Sequence, residues 1–339
     1  MCNSCENKSL SRFGDDARPV TLTRIMGALR EVGIDFHVEG SESDILVVEF
    51  SRFTVLIALD GAYGQLFSLK AVPKVNVHSS RAADLAFAVS ESNNRLLWPA
   101  SSFTEKEDGY LEVAITIRYE LRAGLSDTQL EDMIDISMCS VQTALEILSE
   151  HVPELAGVPD GFTERFGESN TGTLVPVTLE RVQRVLAAEG IENVEVEPEE
   201  QAIYAFINGY YFVFRMDGRR WMSVRAYFDS DTAKFNYGEL LQVLNDFNAG
   251  EHESMAHAAS SDDHVGIALE QHFLVDRGMS AGQIGCAIHG AIFGHLDAIS
   301  ELEPVVKHLA REDAEIERPY LDFDWEDEAD PEQLETPDN

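Results

Sequence analysis

Residues Gly278-Met279-Ser280-Ala281-Gly282 carry the G-x-S-x-G spacing of a nucleophile elbow, between an expected strand and an expected helix. There a tight turn exposes a serine hydroxyl for attack on an acyl carbon, and Asp297 and His308 follow in hydrolase order. Two features oppose that reading. Ser126 occupies the same place in an earlier copy of the motif that lacks the second glycine, and a helix cap accounts for both serines. Asp297 and His308 also lie along the helix that Ser280 starts, and a helix cannot fold back onto its own first residue. A non-enzymatic protein is therefore the leading expectation, and a hydrolase at Ser280 or a His-based metal-binding protein the alternative.

Metal chemistry is the next candidate. Seven of the ten histidines lie past residue 250: His252, His257, His264, His272, His289, His295 and His308. His252 and His257, with Asp262, Asp263 and His264, would surround one hairpin. A transition-metal site needs donor atoms converging at about 2 Å from one ion. No pair here has the i, i+4 spacing or the H-E-x-x-H pattern that places two imidazoles on one helix face. Cys2 and Cys5 form a C-x-x-C in a terminal stretch, with no second pair to complete a zinc site and no strand before it. Cys139 and Cys286 sit in apolar helical runs and read as core residues. Rossmann, P-loop, kinase and zincin patterns are missing as well, so no catalytic residue, metal ligand or cofactor is expected.

The elements behind these motifs occur twice. PVTLTR from Pro19 matches PVTLER from Pro176 at an offset of 157, which holds through Gly33/Gly190 and Asp60-Gly61/Asp217-Gly218. It falls to 155 at SLKA/SVRA, Leu85/Leu240 and Asn93/Asn248, and to 154 at GLSDTQ/GMSAGQ. Small drifts in a constant order are what loop deletions between fixed elements produce. The period is too long for a solenoid, so two tandem domains are expected, over 18–155 and 174–310. Residues 1–17 read as a flexible N-terminal tail and 156–173, rich in Gly, Pro and polar residues, as a linker. Residues 311–339 hold 13 acids and 2 arginines, the composition of a disordered acidic tail.

Within each repeat, Thr21 and Thr178 cap an apolar helical stripe that Gly33 or Gly190 ends. A hairpin comes next, with Asn208-Gly209 suited to a type I′ turn and Ser51-Arg52 poorly suited to it. A third strand, a second helix (about 80–92 and 235–247) and two more strands lead to a long helix. Its start, Ser126 to Gln129 or Ser280 to Gln283, is a capping box. The order α-β-β-β-α-β-β-α predicts an α+β fold of two tandem domains, each a mostly antiparallel sheet with helices packed on it. Gly282, Gly285, Gly290 and Gly294 in the last helix predict a close helix contact, between the repeats, that the first repeat does not share.

Composition narrows function. The formal net charge is −36, which repels polyanions, so direct nucleic-acid binding is not expected. The 44% hydrophobic content is enough for globular cores, and no run reaches the 18 apolar residues of a membrane span. The N-terminus lacks an apolar signal region, so a cytoplasmic protein is expected.

The element order, the helix ends AVSESNNR and VLNDFNAG, and the G-x-S-x-x-Q entry to the last helix resemble the YbjN family. The resemblance covers both repeats and neither tail, and it implies a fold similar to the small chaperones of bacterial type III secretion. It implies a sensory transduction type of regulator without defined catalytic residues, dimer-type packing and binding of protein segments. Trp98-Pro99 becomes Glu253-Ser254 in the second repeat, so the domains need not share a binding surface. The expectation is a pseudo-dimer within one chain, the second domain held at about millimolar effective concentration by a linker spanning roughly 23 Å. Its unidentified protein partner would meet the sheet and helix surface at Tyr210, Tyr211, Arg215, Arg219, Arg220 and Trp221, where aromatics and arginines concentrate on an acidic chain. The tail segment Tyr320 to Trp325, mixing aromatics with acids, would dock on that hairpin or on a partner.

Overall fold

The computed structural model describes residues 17–40, 44–60, 66–156, 174–229, 237–250, 252–260 and 265–309. The first unit runs α1 (Leu22–Glu31), β1 (His37–Val38), β2 (Leu46–Glu49), β3 (Phe53–Asp60), β4 (Leu66–Pro73), β5 (Val77–His78), α2 (Ala82–Arg95), β6 (Ala100–Glu105), β7 (Tyr110–Glu120) and α3 (Asp127–His151). The second runs α4 (Leu179–Ala188), β8 (Val194–Glu197), β9 (Ala202–Ile207), β10 (Tyr210–Asp217), β11 (Trp221–Asp229), α5 (Tyr237–Ala249), β12 (Met255–Ser260), β13 (Val265–Leu274) and α6 (Ala281–Leu309). Both sheets are antiparallel and share one strand order, β6-β7-β4-β3-β2-β1 and β12-β13-β11-β10-β9-β8. The α+β class and the tandem antiparallel sheets are as expected. Each unit opens with one more short strand than expected, β1 or β8, and the first adds β5, too short to leave a periodic signal.

Local chemistry explains the elements. Thr21 and Thr178 accept from the backbone N–H of Arg24 and Arg181, and Gly33 and Gly190 take φ of +75° and +85° past the helix ends. Asn208 and Gly209, at φ +52° and +93°, close a two-residue turn between Ile207 and Tyr210. The first hairpin lacks such a pair and turns more widely, with the Phe50 N–H donating to the Phe53 carbonyl at 3.0 Å. Alternate strand residues, such as Val55, Ile57, Phe67 and Leu69, are buried beneath the helices of their unit.

The two units face each other through matching elements. Gln129 closes its capping box and donates from Nε2 to the Gly278 carbonyl at 2.9 Å. Gln283 does the converse, donating to the Gly124 carbonyl at 2.9 Å and to Gln129 Oε1 at 3.1 Å. Gly124 and Gly278 have φ of +70° and +75°, and a Cβ there would lie 2.6 Å from the Arg18 carbonyl oxygen or 2.7 Å from that of Leu174. The repeated G-x-S-x-x-Q is thus a tight turn, a cap and a tie between units. Arg277 pairs with Asp132, the Trp98 and Trp221 rings meet edge-on at 5.4 Å, and Leu274 joins the core of the first unit.

Asparagines close the β6 and β12 edges. Asn93 of α2 donates to the Ser101 carbonyl and accepts from its N–H, and Asn248 of α5 does the same with Ala256. Asn245 reaches across from α5 to bind both backbone groups of Phe103 in the first unit, at 2.8 and 2.9 Å. An open strand edge invites pairing with another chain, and these amides occupy it.

Two expectations fail. Cys139 and Cys286 are half-buried, on helix flanks, not in the core. A Cβ on Gly285 or Gly290 would meet nothing within 4 Å, and on Gly294 its nearest neighbour is Ser254 Oγ of the same unit at 3.4 Å. These three glycines mark no close approach between units.

Candidate functional site

Ser280 is a helix cap. Its hydroxyl accepts from the Gln283 N–H at 3.1 Å while Gln283 Oε1 accepts from the Ser280 N–H at 2.8 Å. Asp297 is exposed 17 residues along the same helix, about 25 Å away at 1.5 Å per residue. The side chain of His308 lies outside the described residues. The elbow geometry is not assembled, because the glycine turn serves the cap.

His257 and His272 both approach Glu270, and the other described histidines past residue 250 make separate contacts. His252 stacks on Phe247 at 3.9 Å, His289 lies against Phe293 and 3.5 Å from Glu189, and Asp262, Asp263 and His264 lie outside the described residues, as do Cys2 and Cys5. His295 is fully buried, its Nδ1 2.7 Å from Ser254 Oγ and its Nε2 2.9 Å from the Val224 carbonyl. A carbonyl only accepts, so Nε2 carries the proton and Nδ1 accepts from the serine. Burial pushes this imidazole down to about 4, against the opposing pull of the Val224 carbonyl. Among the described residues, one trio of possible ligands has donor atoms within 4.8 Å of one another: Glu91, Glu150 and His151. Arg95 already bridges its carboxylates, at 3.3 Å from Glu91 and 2.9 Å from Glu150, so the positive charge is supplied by the protein.

A buried charge network crosses the second sheet. Glu270 lies 2.8 Å from Arg225 Nε, 3.2 Å from His257 Nε2 and 3.4 Å from His272 Nε2. Burial alone would raise this carboxyl, but His257, Arg225 and His272 outweigh it and hold it well below the carboxylate range. Burial pushes His272 down to about 4 against the pull of Glu270. Neither imidazole is aligned to hydrogen-bond the carboxylate.

This network borders a cavity of about 40 Å³ where the units meet. Matching strand positions line it: Ala100 and Thr116 are cross-strand partners in the first unit, as Met255 and Glu270 are in the second. Trp98 and Glu253 line it from equivalent positions of the two repeats, as do Arg118 and His272. The first unit thus contributes Trp98 and Arg118, the second Glu253, Glu270 and His272. Arg118 donates to the carbonyls of Gly250 and His252, and burial, then the nearby Glu120, raises the Glu253 carboxyl. Drug-sized ligands need about 300–1,000 Å³, so this space suits a few waters. A larger open groove, about 390 Å³, runs between α1 and the start of α3. There Arg24 is committed to the carbonyls of Arg18, Pro19 and Leu125 and to Asp127. Arg181 repeats this role at Val175, Pro176 and Met279, which makes it structural.

The remaining candidate is the β8–β10 part of the face of the second sheet that carries no helix, the β11–β13 part of the same face holding the buried Arg225–Glu270 network. Ile203, Ala205, Phe212 and Phe214 point into the core, so Tyr204, Phe206, Tyr211 and Arg215 point away. Phe206 is 71% and Tyr211 45% exposed, and the Tyr204 and Tyr211 rings stack at 5.7 Å. Register places Val47, Glu49 and Thr54 at the equivalent positions of the first sheet, so this aromatic patch belongs to the second unit alone.

The six residues singled out in the sequence divide. Tyr211 and Arg215 lie on this open face, Arg215 paired with Asp217 at 3.2 Å. Tyr210 points to the helix side, its hydroxyl donating to Glu303 Oε2 at 3.1 Å. Arg219 is exposed in the turn after β10, Arg220 lies 3.9 Å from Asp276, and Trp221 packs on Trp98 between the units. Tyr204 and Phe206 belong to the patch and were missed. The strict alternation of β9, read with the buried Ile203, would have found them.

Residues 21–150 match the model of the YbjN family, described as "Putative bacterial sensory transduction regulator". One similar solved structure is "Crystal structure of YbjN, a putative transcription regulator from E. coli", 16% identical, covering 40% of this chain and 96% of that one, with a TM-score of 0.34. Comparison with curated proteins gives no match. No helix among the described residues is long and apolar enough to cross a membrane.

Proposed function

We propose, from a chain whose residues 21–150 form a YbjN-family domain, that this protein is a non-enzymatic cytoplasmic regulator that binds protein segments in the manner of a chaperone. Recognition takes place on the open face of the second sheet. The observation that carries this reading is the exposed aromatic group Phe206, Tyr211 and Tyr204, which the first sheet replaces with Glu49, Thr54 and Val47. A monomer has no packing use for a phenylalanine left 71% exposed on a sheet. Burying one such ring contributes about 1.5–3 kcal/mol, so two or three supply about 3–9 kcal/mol toward offsetting the cost of association. Arg215 at the rim offers a charged donor for orientation. The two units are tied together by Gln129, Gln283 and Asn245 away from the patch, which leaves this face for a partner.

The test is photocrosslinking in cells. A benzophenone side chain is placed at Phe206 or at the equivalent Glu49. The expected result is a discrete product from position 206, weakened at least fivefold by Tyr211→Ser, and none from position 49. Equal products from both positions, or none from 206, overturn the proposal.

A further inference from the structure

The open face has a candidate occupant in the chain itself, and the inference rests on that face being the recognition surface. The Tyr210–Glu303 hydrogen bond at 3.1 Å fastens the last part of α6 to the first residue of β10. Leu309, six residues and about 9 Å further along the helix, packs on the same core as Tyr210. The chain therefore leaves α6 beside the hairpin tip that carries Phe206 and Tyr211, cross-strand partners one pair from the turn. Residues 310–319, fully extended, span up to about 33–36 Å. That exceeds the roughly 10 Å spacing of packed layers that must be rounded to reach the other face.

The sequence beyond residue 319 fits the patch. Leu321, Phe323 and Trp325 alternate with Asp322, Asp324 and Glu326, so an extended segment carries one apolar side and one acidic side. The apolar side matches Tyr204, Phe206 and Tyr211. Arg215 and Arg219 lie on the β10 side of this surface, while Glu195 and Glu200 stand on the β8 side. Those glutamates disfavour a segment laid with its acids against β8, and favour one with its acids toward the arginines and solvent.

We propose that Leu321, Phe323 and Trp325 cover Tyr204, Phe206 and Tyr211 in the resting chain, so that a partner segment must displace the chain's own tail. A tethered segment experiences an effective concentration of about 1 mM. With an intrinsic Kd near 0.1 mM it would cover about nine chains in ten and weaken partner binding about tenfold.

The test uses the purified full-length chain with a benzophenone side chain at Phe206. The expected product is an intrachain crosslink to the peptide holding Trp325, independent of protein concentration and reduced at least fivefold in Phe323→Ser/Trp325→Ser. The same double variant should raise the partner crosslink in cells several-fold. No intrachain product overturns the proposal, as does a product between chains that grows with concentration, which would assign the face to a second copy. A partner crosslink equal in both proteins overturns tail docking but leaves the open-face reading standing. Loss of the partner crosslink in every form removes both.

Discussion

Asn245→Ala should damage the first unit although the residue belongs to the second. Asn245 is 1% exposed, and its amide satisfies both the N–H and the carbonyl of Phe103 at 2.8 and 2.9 Å. Alanine leaves both groups buried and unpaired, and each such group costs about 1–3 kcal/mol. A water entering the vacated amide space would offset part of this, so a loss of about 2–4 kcal/mol is expected. The assay is urea unfolding combined with amide exchange resolved at Phe103. Where that amide opens locally, 2 kcal/mol corresponds to a roughly thirtyfold faster exchange. Asn93→Ala and Asn248→Ala remove the same pair of bonds within one unit and supply the comparison. Gln242→Ala, on the exposed side of the same helix, should stay within about 0.5 kcal/mol. An Asn245→Ala protein less than 0.5 kcal/mol weaker, with unchanged exchange at Phe103, would refute the claim that this amide seals the edge between units.

Single side chains elsewhere give three further expected outcomes. His295 is neutral in the folded state with a pKa near 4, whereas in the unfolded chain it takes a proton near 6.5. Stability contributed there is complete above pH 6.5 and is lost as pH falls toward 4, by about 2 kcal/mol at pH 5. The drop between pH 7 and pH 5 should shrink by that amount in His295→Gln, and an unchanged drop would contradict the assignment. Gly285→Ala and Gly290→Ala should each raise stability by about 0.5–1 kcal/mol, because a helical Cβ meets nothing there. A lowered melting temperature would show that those positions are tighter than described. Ser280→Ala should cost about 1 kcal/mol through the lost cap, and a thermal midpoint equal to that of the parent chain would argue against the capping role.

Much of the architecture was legible because it is written in local terms. The drifting offset between repeats located two copies of one unit, and the capping boxes and the Asn208-Gly209 turn formed as their chemistry requires. Asn93 and Asn248 stood out only as matched letters, and the structure supplies the reason, two amides clamping two strand edges. Contacts between units left no such trace. Nothing periodic in α5 distinguishes Asn245, which reaches the other unit, from Asn248, which reaches its own. The sequence grouped Tyr210 and Tyr211 on one hairpin, and strand alternation sends these adjacent residues to opposite faces. Trp221 looked like part of a binding surface for a similar reason, since burial by the other unit is invisible in a strand pattern. Gly285, Gly290 and Gly294 of α6 carried an expected close contact that the backbone does not make there.

The central claim is that the second unit's open face, and not its equivalent on the first, is where this protein meets its partner. The most direct measurement is quantitative capture from native cytosol by three folded full-length proteins: the parent chain, Phe206→Ser/Tyr211→Ser, and Val47→Ser/Thr54→Ser. The account predicts a partner retained by the parent and by the first-unit variant, and lost at least tenfold by Phe206→Ser/Tyr211→Ser. Equal retention by all three, or loss confined to the first-unit variant, would contradict it.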